Sequence, residues 1–369
     1  MPTKRVVSDI PELTSLRIIA ALCVVISHLS ALGIVSAGRF QEIVDGGRPA
    51  VSFFFVLSGF IMNHRYPRLS YEDRAAMRRY AQSRFARLYP TLMLSLAIAF
   101  PTVIYLVSTH ATVDMFKFYS LKGNYGLWLP VSALAQILCA TGWIPAAAIN
   151  QPWNGPAWSL CCEFFFYALF PFFRPLLQRQ SSVALVSWAV VGWTAQGLWI
   201  IAIHSLVAPS RAGFLIYQFP ITHLYEFFLG ITAGILFGRL SRRQVSALVV
   251  FAGVCSILMF SGVRIFSVSM PAYYAQSPLF AAVILFVSLA SGTIWLAPLR
   301  HSFALALGHA SYALYMIHMP VLVTAEVLGL GVVIGWFWLP ALAIASYFVH
   351  YNFAEPVRHR LLRRARPNL

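Results

Sequence analysis

Residues 13–30 read LTSLRIIAALCVVISHLS, an apolar, helix-like stretch with an arginine near its start and a histidine near its end. Arg17 and His28 stand eleven positions apart. At 100° per residue that spacing returns to within about 20° of the same face, about 16 Å further along the axis. Both side chains are therefore expected to line one cavity. An ionisable group inside a spanning helix costs a few kcal/mol on insertion scales, and it usually faces a bundle interior where it binds or relays something. The pair reads as the core of a transmembrane active site.

Composition agrees with a membrane setting. Hydrophobic residues make up 59% of the chain and charged residues 10%, there are 29 Phe, and mean hydropathy is +0.73. A soluble chain carries about 25% charged residues. The expected fold class is an all-α polytopic membrane protein, a bundle of about ten transmembrane helices with one re-entrant or surface segment. The net charge of +16 would suit a nucleic-acid binder. Its distribution excludes that partner: the basic residues cluster in short stretches between apolar runs, as in cytoplasmic loops. The five Cys fall in apolar stretches and read as small hydrophobes, not a disulfide framework.

Candidate spans are 14–35, 50–64, 86–107, 157–176, 182–204, 214–237, 245–262, 277–296, 303–327 and 331–352. Their lengths suit a hydrocarbon core of about 30 Å. Lys4 and Arg5 ahead of the first span, with Val35-Ser36-Ala37 after it, have the outline of a signal peptide, but Arg17 inside the apolar run argues for an uncleaved span. The stretch 127–149 is apolar yet broken by Pro130, Gly142 and Pro145. Counted as re-entrant or surface, it leaves most of the 27 Lys and Arg on one side, with both termini cytoplasmic. Counted as a span, it would turn the later basic loops outward. No repeat or soluble appendage interrupts the chain, so residues 1–369 are expected to form one transmembrane domain. The polar stretch 63–83 reads as an amphipathic cytoplasmic connector.

Several further groups have chemistry. Arg84 and Arg87 share a helix face at the cytoplasmic end of the third span, and guanidinium groups favour bidentate contact with phosphate. Anchoring at lipid headgroups is the alternative. In the fourth span Ser159, Glu163 and Tyr167 follow at intervals of four and share a face. A carboxyl there would orient a base, pair with an arginine, hold an acceptor hydroxyl, or bond helices together. Glu226, one turn after His223, is either structural or a second polar lining group. Ser311, Tyr315 and His318 fall on one face of the ninth span and would line the same cavity, with His309 opposite. Metal-ligand spacings, a Walker loop, a dinucleotide fingerprint and the Gly-x-Ser-x-Gly elbow are absent from the sequence. The expected chemistry uses arginine, histidine and carboxylate, with no metal.

In order along the chain, LTSLRIIAALCVVISHLS, GGRPAVSFFFVLSGFIM, RFARLYP, NGPAWSLCCEFFFYALFPFF, FPITHLYEFFLGITAGI, LGHASYALYMIHMPV and NFAEPVRHR resemble the integral-membrane acyltransferase 3 family. The resemblance implies transfer of an acyl group, usually acetyl, from cytoplasmic acyl-CoA to a sugar hydroxyl. Such acceptors include bacterial O-antigen, exopolysaccharide, peptidoglycan or Nod-factor glycans, or a glycosylated macrolide. It implies a bacterial inner-membrane location. Arg17 and His28 match the family's essential pair, Arg84 and Arg87 its paired arginines, and Glu163 the acid of its Trp-Ser-Leu segment. His28 is then the expected base or acyl carrier, Glu163 the group that orients that histidine or the sugar, and Arg17, Arg84 and Arg87 the groups that hold acetyl-CoA. Ser159, Tyr167, Glu226, Tyr315 and His318 are expected on the acceptor side. Partners would be acyl-CoA, a glycan or lipid-linked sugar, and membrane lipids, with oligomeric state open. Acceptor contacts are expected on the outward loops 36–49, 108–156 and 263–276. There are departures: Thr14-Ser15 stands where Asp-Gly is common, which removes an acidic neighbour of the first helix, and His223 stands where arginine is frequent. Cys161-Cys162 replaces less reactive residues. A multi-pass transporter or flippase is the competing reading, because buried Arg, His and Glu also make proton-coupled paths.

Overall fold

The computed structural model describes residues 10–36, 38, 47–260 and 270–364. Lys4, Arg5, Ala37, Arg39, Arg264 and Arg366, with parts of the outward loops 36–49 and 263–276, lie outside the described residues.

Among the described residues ten helices carry the fold: α1 (Pro11–Ala31), α2 (Gly47–Arg65), α3 (Arg74–Ser108), α4 (Trp158–Arg179), α5 (Ser182–Leu206), α6 (Leu224–Arg239), α7 (Arg242–Phe260), α8 (Ala272–Ala290), α9 (Ser302–Val327) and α10 (Trp338–Val349). Eight described helical segments are long and apolar enough to cross a membrane. They comprise α1, α3, α4, α5, α7, α8, α9 and the run Gly331–Arg363 that contains α10. Large apolar side chains such as Trp188, Phe251, Phe286 and Phe348 stay exposed on them, as lipid-facing groups do. The chain is an all-α polytopic membrane protein.

Three expected segments differ in form. The span expected at 214–237 is two helices, Pro209–Tyr217 and the 16-residue α6, separated by turns at 219–223. Pro220 lacks a backbone N–H and disfavours helix at Phe219, so the helix stops there. The third span begins twelve residues earlier than expected, because Arg74 onward continues without a break into α3. The difficult 127–149 stretch is a 13-residue helix, Tyr125–Ile137, about 20 Å long and too short to cross. After it the chain turns at Cys139, with φ at 52°, and folds back. Ser132 Oγ donates to the Ile149 carbonyl at 2.7 Å, and Gln136 Nε2 donates to the Pro152 carbonyl.

The contacts divide the chain into two compact units. One holds residues through Ala20, Arg48–Met77 and Phe166–Leu305. Within it α2 and α6 meet at glycines: a Cβ at Gly59 would run into the Phe227 carbonyl, and one at Gly230 into the Val56 carbonyl. Such approach is how membrane helices gain packing contact, since lipid supplies no hydrophobic drive between them. Phe166 stacks on Phe227 at 5.0 Å and meets Phe55 edge-on at 5.2 Å. A second core gathers Ile200, Ile203, Ile216, Tyr273 and Tyr274.

The other unit holds Ala21–Gly47, Arg78–Phe165 and Ala306–Leu369. Its core joins Val103 and Leu106 of α3 to Met115, Tyr119, Leu121, Leu129 and Val323.

Prolines inside helices free a carbonyl four residues earlier. In each unit one such carbonyl is taken up by a side chain from elsewhere. Pro320 leaves the Met316 carbonyl of α9 open, and Asn154 Nδ2 donates to it at 2.9 Å. Pro278 leaves that of Tyr274 in α8, which accepts from Trp193 Nε1 at 3.0 Å and Ser277 Oγ at 3.1 Å. Neighbouring groups of this sort are what make proline tolerable in a lipid-embedded helix.

Candidate functional site

The unit that contains the second half of α1 places His28 against His318 of α9. His318 Nε2 lies 3.2 Å from His28 Nδ1, with ring centroids 4.9 Å apart and planes tilted by 53°. His28 Nδ1 also sits 2.9 Å from the Val24 carbonyl, one turn back on its own helix. His318 is fully buried, and its Nδ1 lies 2.6 Å from the Tyr315 carbonyl.

Around this pair stand other residues singled out in the sequence. The Tyr315 hydroxyl donates to the Pro156 carbonyl at 3.2 Å, and Ser159 Oγ donates to the same oxygen at 3.0 Å. Glu163 is half-buried on the next turn of α4, within electrostatic range of Tyr315. Asn154 bridges Ser95 Oγ of α3 and the Met316 carbonyl, both at 2.9 Å, and so fixes the turn that leads into α4. Three separate sequence runs thus meet on the turn of α9 that ends at His318, the residue set against His28.

Arg84 and Arg87 belong to the same unit. Arg84 is buried, 3% exposed, and donates from Nη2 to Ser83 Oγ at 3.3 Å; Arg87 is half-buried. On the opposite side of α3, Phe85 is exposed and stacks on Tyr89 at 4.4 Å. A headgroup-anchoring arginine would extend its charged end toward water. Arg84, buried as it is, differs from such an anchor. The Tyr312 hydroxyl donates to the Leu88 carbonyl at 2.8 Å, which ties α3 beside Arg87 to α9. From Tyr312 to His318 is six residues of helix, about 9 Å.

Three sequence candidates fall in the other unit. Arg17 is half-buried on the first half of α1. Tyr167 is buried with its hydroxyl 3.4 Å from Ser58 Oγ. Glu226 is fully buried, and both oxygens are engaged by protein groups: Ser52 Oγ at 3.4 Å and His223 Nδ1 at 3.3 Å on one, Gln196 Nε2 at 3.2 Å on the other. That closed network fits the structural alternative for Glu226. The described residues contain no group of three or more His, Cys, Asp or Glu placed to hold a metal ion.

Some residues that build these units escaped the sequence reading. Glu12 is fully buried and accepts from Ser291 Oγ at 2.9 Å and the Gly292 N–H at 3.0 Å, with Arg300 Nε at 3.8 Å. Glu12 stands two positions before Thr14, in the first turn of α1. Cys161 Sγ receives the Gly142 N–H at 3.3 Å and lies 3.3 Å from Thr141 Oγ1, so it pins the turn after Tyr125–Ile137 to α4. That gives the first cysteine of the pair a structural purpose.

Comparison with known proteins gives three results. Residues 10–353 match the family described as "Acyltransferase domain". Acyltransferase MdmB of Streptomyces mycarofaciens is 26% identical over 337 residues, covering 85% of this chain and 79% of that protein. Protein 2 in picA locus of Rhizobium radiobacter is 35% identical over 96 residues, which is 24% of this chain and 49% of that protein. No solved structure matches. With the matched region covering nearly the whole chain, this membrane protein belongs to the acyltransferase family defined by that domain.

Proposed function

We propose that this membrane acyltransferase moves an acyl group, acetyl in the first instance, from acyl-CoA to a hydroxyl of a cell-surface or exported glycan, with His28 as the general base. The observation that carries the reading is the placement of His28. It stands against His318, which lies one turn from Tyr315 and the Ser159 and Glu163 neighbours of that tyrosine, while Tyr312 of the same helix α9 ties α3 at Leu88, beside Arg87. A thioester donor gripped by its phosphates needs an arginine cluster some distance from the base, the role proposed for Arg84 and Arg87. A relative whose name is Acyltransferase MdmB supports the class of reaction.

In the proposed step the acceptor O–H gives its proton to the imidazole of His28 while its oxygen forms a bond to the acyl carbon. The thioester C–S bond breaks, and the sulfur leaves as thiolate and takes that proton. Imidazole can both take and give up a proton, which suits both halves of the cycle. Arg84 and Arg87 hold the phosphates of the donor, and the family resemblance alone supports Arg17 as a further donor-binding group. Glu163 orients the acceptor. The basic loops and both termini face the cytoplasm of a bacterial cell under the positive-inside rule.

Purified protein in detergent with radiolabelled acetyl-CoA and candidate glycans tests this. Label should pass to the sugar with release of free CoA thiol; movement of glycan with no consumption of acetyl-CoA would instead identify a transporter. Arg84→Ala with Arg87→Ala should raise KM for acetyl-CoA by about 10- to 100-fold and leave kcat little changed. Each charged hydrogen bond is worth about 1.5–3 kcal/mol. Initial rates over a range of acetyl-CoA decide this, and an unchanged KM would remove the phosphate clamp.

A further inference from the structure

Backbone carbonyls only accept hydrogen bonds, and one lies 2.9 Å from His28 Nδ1 (that of Val24) and another 2.6 Å from His318 Nδ1 (that of Tyr315). Each Nδ1 must therefore carry a proton. In neutral His318 the lone pair then sits on Nε2, the atom 3.2 Å from His28 Nδ1. The Nδ1–H of His28 is thus shared between the Val24 carbonyl and His318 Nε2, which fixes the basic lone pair of His28 on its own Nε2.

From these contacts we infer that His318 is a positioning residue for His28. It selects the tautomer whose Nε2 takes the acceptor's proton, and it keeps accepting from Nδ1–H once His28 is an imidazolium. The inference rests on the acyl-transfer reading of His28 and goes beyond it, since the sequence places His318 only among groups lining the acceptor path.

The surroundings suit this task. His318 is fully buried, and its Nδ1–H is committed to the carbonyl of Tyr315, whose hydroxyl is in turn held on Pro156. The ring is therefore held from both ends of one helical turn. The Val24 carbonyl would be a weaker anchor alone, because within α1 it already accepts from the backbone N–H of His28. In Ser-His-Asp enzymes a carboxylate on the far ring nitrogen fixes the tautomer of the base. Here a neutral imidazole lone pair does so, gaining and losing no proton in the cycle.

The test uses full-length protein in detergent. Histidines labelled with ¹⁵N report their tautomers by long-range ¹H–¹⁵N correlation, and the signal lost in His28→Ala identifies His28. Native His28 should be the Nδ1–H form, and in His318→Leu it should shift toward Nε2–H. With acetyl-CoA as donor, methyl glycosides as acceptors and thiol release as readout, His318→Leu should lower kcat about 100-fold with KM for acetyl-CoA within about threefold. His318→Gln, whose Oε1 accepts in place of Nε2, should recover at least about tenfold of that loss. A native His28 in the Nε2–H form overturns the inference, even if His318→Leu does not fold. So does an unchanged tautomer in folded His318→Leu. If His28→Ala is inactive while His318→Leu is not, only the positioning role fails; active His28→Ala ends the catalytic reading itself.

Discussion

His28→Ala should lower acyl transfer by at least about 10³-fold while leaving a folded, membrane-inserted protein. General acid–base catalysis contributes about 10²–10⁴-fold, and loss of the group that takes the proton removes it whole. The structural cost is small by comparison. His28 is only half-buried, and the Val24 carbonyl keeps its helical partner, the backbone N–H of residue 28. The remaining penalty is His318 Nε2, which loses its neighbour inside a buried setting at a cost of about 1–3 kcal/mol. Thiol release from acetyl-CoA and elution as a single species on size exclusion separate the two effects. Turnover within tenfold of native would show that some other residue is the base.

The largest stability effect is expected where α2 and α6 touch. A Cβ added at Gly230 would overlap the Val56 carbonyl and lie 2.9 Å from the Phe60 nitrogen; one at Gly59 would overlap the Phe227 carbonyl and lie 2.9 Å from the Ile231 nitrogen. Backbone atoms on both sides have nowhere to go, so even Gly230→Ala must push the helices apart. Overpacking of this kind costs about 1–3 kcal/mol, and Gly230→Leu, which also disturbs the Phe166–Phe227 stack, should fail to give folded protein. Gly253→Ala is the control, because an added methyl there meets nothing within 4 Å. Thermal melts followed by size exclusion measure the difference. A melting point of Gly230→Ala within about 2 °C of Gly253→Ala would mean the contact is looser than the structure has it.

The sequence carried the helices and the choice of polar residues further than it carried their partners. Hydropathy found α1, α5, α7 and α9 because each is a long run of apolar residues, and a period of 3.6 put Tyr315 and His318 on one face. Pairing across the chain has no such period. His28 meets His318 at a separation of 290 positions, and Asn154 meets Met316 at 162. The break at 219–223 was written in Phe219-Pro220, yet the stretch is apolar on both sides and a hydropathy average runs over it. Glu12, in the first turn of α1, carries no mark of burial in the sequence. Only the loop at 291–300, which supplies its donors from far along the chain, makes it a buried one.

The two proline-freed carbonyls also bear on how the protein is made. In both cases the donor from a distant part of the chain is translated before the acceptor: Asn154 before Met316, and Trp193 before Tyr274, whose carbonyl also accepts from Ser277 of its own helix. An unsatisfied carbonyl in hydrocarbon costs several kcal/mol. When α8 and α9 leave the ribosome, the distant side chains that bond to these carbonyls have already been synthesised, so each helix can settle as soon as it docks. A circular permutation that placed α9 ahead of residue 154 would reverse that order and leave the Met316 carbonyl open until Asn154 followed.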